Sequence, residues 1–208
     1  FGDIPAGKKY DRKIKQEPPQ KEPRMMELTE SVPLNALYKC WHISSRLDKR
    51  YYIAEVISEI LGGGTSSRLF QSLVKEQKLV SSIECSNTGS SDPGLICIDG
   101  KLLKGVSGEQ AANAVIAELE KLKTQLISEQ ELEKIKNKTE SMLAFEDISL
   151  MSRANSLANY ELLGDANLMN TELEKYQAIT REEVLEESKL IFTENNCNTL
   201  YYRSTVKE

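Results

Sequence analysis

The chain has 208 residues, 39% of them apolar and 28% charged, with 27 Lys and Arg against 32 Asp and Glu for a net charge of −5. That length suits one large domain or two small ones with a buried core, and a mildly acidic chain without a large basic block argues against general nucleic-acid or anionic-membrane binding. The single histidine, His42, excludes more. A zinc-peptidase centre needs about three nitrogen or oxygen ligands, two of them usually histidines on one helix, and this chain cannot assemble one alone.

Residues 1–24 hold Lys8, Lys9, Lys13, Lys15, Lys21 and Arg24 among Pro5, Pro18, Pro19 and Pro23, with no apolar periodicity. The prolines favour extended backbone, so this segment reads as a linker or strap whose charges are solvated. No signal-peptide pattern is legible, and the opening FGDIPAGKKYD reads as the start of an excised fragment. From Met25 to Glu208 the pattern is that of a folded domain.

Met25–Ser31 and Leu34–Ile43 are strand candidates separated at Pro33. In the second, Leu37, Trp41 and Ile43 share one face and Tyr38, Cys40 and His42 the other. His42 lies in the apolar run LYKCWHI, where a lone histidine reads as a half-buried strand residue and not as a general base. A helix is predicted over Arg50–Leu61 from the spacing of Ile53, Val56, Ile57 and Ile60, and Gly62-Gly63-Gly64 stops it. Thr65, Ser66 or Ser67 can cap a second helix over Arg68–Lys78. Val80–Ser86 and Leu95–Leu103 read as an antiparallel strand pair joined by the turn-rich NTGSSDPG. In the second of these, Ile96, Ile98 and Leu102 should pack on the helices at 108–126 and 130–147, with Leu95, Cys97, Asp99 and Lys101 on the opposite face. In the first, Ile83 and Cys85 should point inward, and Ser82, Glu84 and Ser86 should share the polar face.

The remainder is mostly helical. Val115, Leu119, Leu122 and Leu126 form one stripe, and Leu132, Ile135, Thr139 and Met142 form another. Capping-box patterns occur at Ser107 with Gln110, Ser128 with Glu131 and Thr180 with Glu183. Glu131, Glu133, Lys134 and Lys138 read as solvated charges on an exposed helix face. A further helix is predicted over about 150–163, ending at Gly164, and Asn198–Arg203 reads as a last strand. The order of elements predicts an α+β fold: a two-layer sandwich of a largely antiparallel sheet packed on helices. Cys40, Cys85, Cys97 and Cys197 form no CxxC motif and read as small buried hydrophobes, with any pairing a matter of geometry. The apolar stretches fall short of the ~20 residues of a membrane helix.

The most informative stretch is LGGGTSSRLFQSLVKEQKLVSSI at 61–83: a helix end, a glycine turn, hydroxyl caps, a second helix and a strand. Glycines that relieve backbone strain and Ser/Thr that satisfy free amides give Gly62, Gly63, Gly64, Ser66, Ser67 and Arg68 a structural role, with Gly63 expected at positive φ. A phosphate loop would need GxxxxGK[ST], and no Lys follows Gly64. The stretch resembles the LGGG-x-SSRLF-like turn of the insulinase/pitrilysin zinc peptidases, the inverzincins. The likeness extends to AITREEV at 178–184 and to NCNTLYYR ending at Arg203.

The resemblance implies an α/β sandwich that forms one half of a clam-like chamber. In the family the other half carries an HxxEH helix that holds zinc and a general base. HxxEH is absent here, so the chain looks like the second, non-catalytic half. Its zinc would lie in a partner catalytic half or subunit, and its ligands would be peptides. Many family members supply a substrate-binding Arg and Tyr just after the turn, but the matching positions here are Val74 and Ser81, which lack the charge and the reach. Substrate contact is then expected from the polar strand face, at Glu84, Asp99 and Lys101. The alternative on the same fold is a structural or assembly subunit without a peptidase role, as in the respiratory-complex core proteins of the family. Cysteine usage leaves bacterial periplasm and cytoplasm both open.

Overall fold

Alternation along the central strand decides which side of the domain is solid. In Ala36–Ile43 (β2), Leu37, Lys39, Trp41 and Ile43 are buried on one side, while Tyr38, Cys40 and His42 lie on the other. The computed structural model describes residues 2–5, 7, 15, 17–89, 91–146 and 148–205. Its strands are Arg24–Glu30 (β1), β2, Val80–Asn87 (β3), Gly94–Leu102 (β4) and Cys197–Ser204 (β5). They form one five-stranded sheet in the order β1-β5-β2-β4-β3. Every neighbouring pair is antiparallel except β1 with β5, which is parallel. Lysines 8, 9 and 13 of the strap lie outside the described residues, whereas Lys15, Lys21 and Arg24 are exposed and Arg24 already belongs to β1.

The helices are Lys49–Gly62 (α1), Gly108–Thr124 (α2), Glu129–Glu146 (α3), Leu150–Leu162 (α4), Leu168–Gln177 (α5) and Arg181–Ile191 (α6). Asp48 caps α1 by accepting the Arg50 N–H at 2.9 Å. Helix α1 buries Ile53, Val56, Ile57, Ile60 and Leu61 against the sheet, as its spacing requires. Helices α1, α2 and α6 lie on the buried face of the sheet, and α3 packs on α1 and α5. The apolar side of β4 therefore meets α1, and α3 lies further out, which corrects the expected packing of Ile96, Ile98 and Leu102 on the helix at 130–147. The reason is coverage: the wide apolar face of α1 fills the space over β3 and β4 and leaves α3 to pack on α1. Helix α3 buries only Leu132, Ile135 and Thr139, and Met142 is 52% exposed.

Thr180 and Glu183 make a full capping box at α6, with the Thr180 hydroxyl accepting the Glu183 N–H and the Glu183 carboxylate accepting the Thr180 N–H. Ser107 and Ser128 each accept one N–H, from Gln110 and Glu131, both at 3.1 Å. The Glu131 carboxylate does not reach back, because it is engaged elsewhere. On β2, Lys39 departs from the apolar pattern: it is 5% exposed, donates to Thr199 Oγ1 at 2.8 Å and lies 5.7 Å from the Trp41 ring centre.

Helix α5 turns a carboxylate inward. Its buried residues are Glu172 and Tyr176. Glu172 is 3% exposed and accepts from the Tyr52 hydroxyl at 3.0 Å, with Arg46 and Lys175 each 3.4 Å away. Lys175 also donates to the Tyr52 hydroxyl at 2.9 Å, and the Arg46 guanidinium stacks over the Tyr160 ring. Burial beside this carboxylate raises the pKa of the Tyr52 and Tyr160 hydroxyls. The network joins α1, α4 and α5 through one carboxylate. Removing it leaves Arg46 without a counter-charge in a half-buried position. Glu172→Ala is expected to lower unfolding stability by about 3 kcal/mol, and Glu172→Gln by less, in denaturant titrations.

Candidate functional site

Two features were singled out by sequence: the glycine turn after α1 and the outer face of the strands. In the turn, each glycine answers a different demand. A Cβ at Gly62 would lie 2.1 Å from the Cys85 backbone N, so the end of α1 and the backbone of β3 approach too closely for a side chain. The left-handed residue is Gly64, at φ +105°, whereas Gly63 has φ −71°, a correction to the expected placement. The shift by one position follows from α1 running through Gly62, one residue beyond its last apolar position.

The residues after the glycines fasten the turn to α3. The Ser67 hydroxyl donates to the Gly64 carbonyl at 2.7 Å, and Ser66 Oγ accepts from Lys134 Nζ at 3.0 Å. Arg68 makes a two-pronged pair with Glu131, Nε to Oε1 at 2.9 Å and Nη2 to Oε2 at 2.7 Å. Lys138 reaches Glu59 on α1 at 2.6 Å. Glu131, Lys134 and Lys138 thus link α3 to the α1 turn; Lys134 and Lys138 stay exposed, as does Glu133, whereas Glu131 is half-buried in its pair with Arg68. The chain then continues from Arg68 into a π-helical segment over Phe70–Glu76, wider than the ordinary helix expected, and turns toward β3 at Lys78, with φ +52°. Within it, Val74 packs against the core; Ser81, on β3, is exposed and donates to the Lys101 carbonyl at 3.3 Å.

The outer face of the sheet carries Glu84, Asp99 and Lys101 together. Glu84 stands opposite Asp99 and Ser82 opposite Lys101 in the β3–β4 register, and Tyr38 opposes Asp99 from β2. Glu84 and Lys101 are exposed and Asp99 is half-buried. Burial raises the Asp99 pKa first and the Glu84 charge raises it further, with Lys101 opposing both. The same face continues across the sheet through Met26, Leu28, Leu200, Tyr202 and Tyr38, which the β1–β5 and β5–β2 registers place side by side. Met26, Leu28 and Tyr38 are exposed by 59%, 41% and 39%. The face is therefore polar at the β3–β4 side and apolar at the β1–β5 side. The apolar half was missed because alternation in 25–31 and 197–203 shows two faces but not which strands are neighbours. Near its end, His42 is half-buried with Nδ1 3.0 Å from Asn196 Oδ1, and Gln20 of the strap bonds to the Cys197 carbonyl and the Asn198 side chain.

A zinc site does not fit this chain: it has one His, and among the described residues no three His, Cys, Asp or Glu side chains are grouped to hold a metal. No described helix is long and apolar enough to cross a membrane.

Two measurements follow from this geometry. Gly62→Ala forces Cβ against the β3 backbone and is expected to destabilise by about 1–3 kcal/mol in denaturant unfolding. Glu84→Gln removes the like charge opposite Asp99 and should lower the Asp99 pKa in a carboxyl NMR titration. No movement, or a rise, would show that the two carboxylates do not share the face as described.

A family model described as the peptidase M16 inactive domain matches residues 1–139. A Bacillus subtilis protein named "Uncharacterized zinc protease YmxG" is 31% identical over 151 residues, covering 71% of this chain and 36% of the relative. Among solved structures, a protease from Helicobacter pylori superposes with a TM-score of 0.89 at 21% identity, over 95% of this chain and 48% of that one. A peptidase M16 inactive domain from Pseudomonas fluorescens gives 0.76 at 18% identity, over 95% and 47%. A chain of Complex III2 from Candida albicans gives 0.73 at 21%, over 86% and 45%. The chain thus spans about a third of its curated relative and about half of these structures. The structural likenesses concern the fold; on the family-model match and the sequence identity, the chain belongs to the peptidase M16 inactive-domain family.

Proposed function

We propose that this chain is the non-catalytic half of a zinc-dependent metallopeptidase, closing a proteolytic chamber against an HxxEH-bearing half and contacting the peptide substrate. The observation that carries the reading is the one-sided sheet: a domain of the inactive-peptidase family keeps a broad face free of its own helices, polar at Glu84, Asp99 and Lys101 and apolar at Met26, Leu28 and Tyr202. That mixture suits an extended peptide, which offers main-chain hydrogen-bonding groups and alternating side chains. The proline-containing segment before β1, anchored to β5 through Gln20, acts as the connector between halves. Zinc and the general base belong to the partner half, and peptide hydrolysis requires both halves.

A structural or assembly role on the same fold is the second reading, favoured by the likeness to a chain of Complex III2 and by Val74 and Ser81 at the positions of a substrate-binding Arg and Tyr. The two are separated in the protein that contains both halves. Replacing Glu84, Asp99 and Lys101 with Ala together is expected to reduce kcat/KM for an extended peptide by about tenfold, equivalent to ~1.4 kcal/mol of transition-state binding, with assembly intact. Unchanged kinetics in an assembled protein would remove the substrate contact. The absence of any HxxEH segment, in the same coding sequence or in a co-purifying subunit, would leave only the assembly role.

A further inference from the structure

The four cysteines divide by face. Cys85 lies opposite Ile98 and Cys197 opposite Trp41, so both belong to the side that faces the helices. Cys40 and Cys97 lie opposite each other on the outer face, at the middle of the β2–β4 pair. Their backbone setting follows from the hydrogen bonds. The Leu102 N–H donates to the Asn35 carbonyl at 2.9 Å, which makes Asn35 and Leu102 a hydrogen-bonded pair. The register then runs without a break from Ala36 with Lys101 to Ile43 with Gly94. Bonded and non-bonded pairs alternate, so Cys40 and Cys97 fall on a non-bonded pair. The other side of β4 agrees: the Thr88 N–H donates to the Leu95 carbonyl at 2.8 Å, so Cys97 turns its own backbone groups toward Ser86 on β3. Non-bonded pairs bring Cα atoms to about 4.5 Å with side chains closest, inside the ~4.4–6.8 Å range of disulfides. The register sets the two thiols facing each other, and both are half-buried, open to a small reagent.

We propose that Cys40 and Cys97 are a thiol-modification site that takes low-molecular-weight disulfides such as glutathione disulfide and closes to a cross-strand disulfide between β2 and β4. Either thiol can open the exchange. With Cys97 first, its thiolate attacks one sulfur of glutathione disulfide, forming a mixed disulfide and releasing one glutathione. Cys40 then loses its proton and attacks the Cys97 sulfur, releasing the second glutathione. The protein gives up two electrons and two protons, and glutathione disulfide takes both. Cys85 and Cys197, on the far side of the sheet, cannot resolve the intermediate.

The test uses the full chain, reduced and then incubated under native conditions with excess glutathione disulfide. Thiols are counted after denaturation, and the peptides are mapped by mass spectrometry without reduction. The four thiols are expected to fall to two, with the Cys40 and Cys97 peptides joined, free of glutathione, and Cys85 and Cys197 still free. Cys40→Ser should retain a glutathione on Cys97 that is never released. A Cys85→Ser, Cys197→Ser double variant should cross-link like the unaltered chain, which keeps the proposal testable should Cys40→Ser fail to fold. Four surviving thiols, glutathione retained on both Cys40 and Cys97, a link to Cys85 or Cys197, or a Cys40–Cys97 link that forms only in denaturant would each overturn it.

Discussion

What the outer face can do depends on the strict sidedness of β4. Its residues Ile96, Ile98 and Leu102 are taken up by the helical side, so Cys97, Asp99 and Lys101 have no choice but to stand on the other. Because β4 lies between β2 and β3, the same alternation fixes Tyr38, Cys40 and His42 on one flank and Ser82, Glu84 and Ser86 on the other. A register slip of one residue would bury two charges and expose three large apolar side chains, which is why this arrangement is strongly specified.

The glycine turn holds the helical side in place. Gly62 admits the β3 backbone against the end of α1, and Ser66, Arg68 and Glu59 bind α3 from the other direction. The motif so central to the family likeness is therefore a joint between three elements. Its Ser66 and Ser67 hydroxyls and its Arg68 guanidinium are engaged in contacts within the domain.

Much of this was legible from local pattern. Alternation in 36–43, 80–86 and 94–102, the stripe of α1 and the box at Thr180 all depend on residues a few positions apart. The failures share the opposite property. Arg68 with Glu131 and Lys138 with Glu59 are separated by long stretches of chain, so no local pattern announces either pair. Helix α5 turns Glu172 inward beside Tyr176, and nothing in the local pattern marks that one glutamate as buried. At the candidate site, Glu84, Asp99 and Lys101 share a face as alternation requires, but the apolar half of that face needed the strand order, which no local rule supplies. The cysteine pair needed the register as well: four apolar-looking thiols became two facing helices and two facing each other.

The parallel pairing of β1 with β5 has a consequence for how the chain comes to be folded. Strand β1, at Arg24–Glu30, has β5 at Cys197–Ser204 as its sheet neighbour, and Glu27 is paired with Arg203 across that junction. During synthesis β1 emerges first and waits for nearly the whole domain before its partner exists. Until then its Met25, Met26 and Leu28, and the β5-facing edge of β2, are unsatisfied strand edges. The sheet is closed by the last element to arrive, so its assembly carries a large loop-closure entropy and high contact order, and truncation at the C-terminus would release the first strand along with the last.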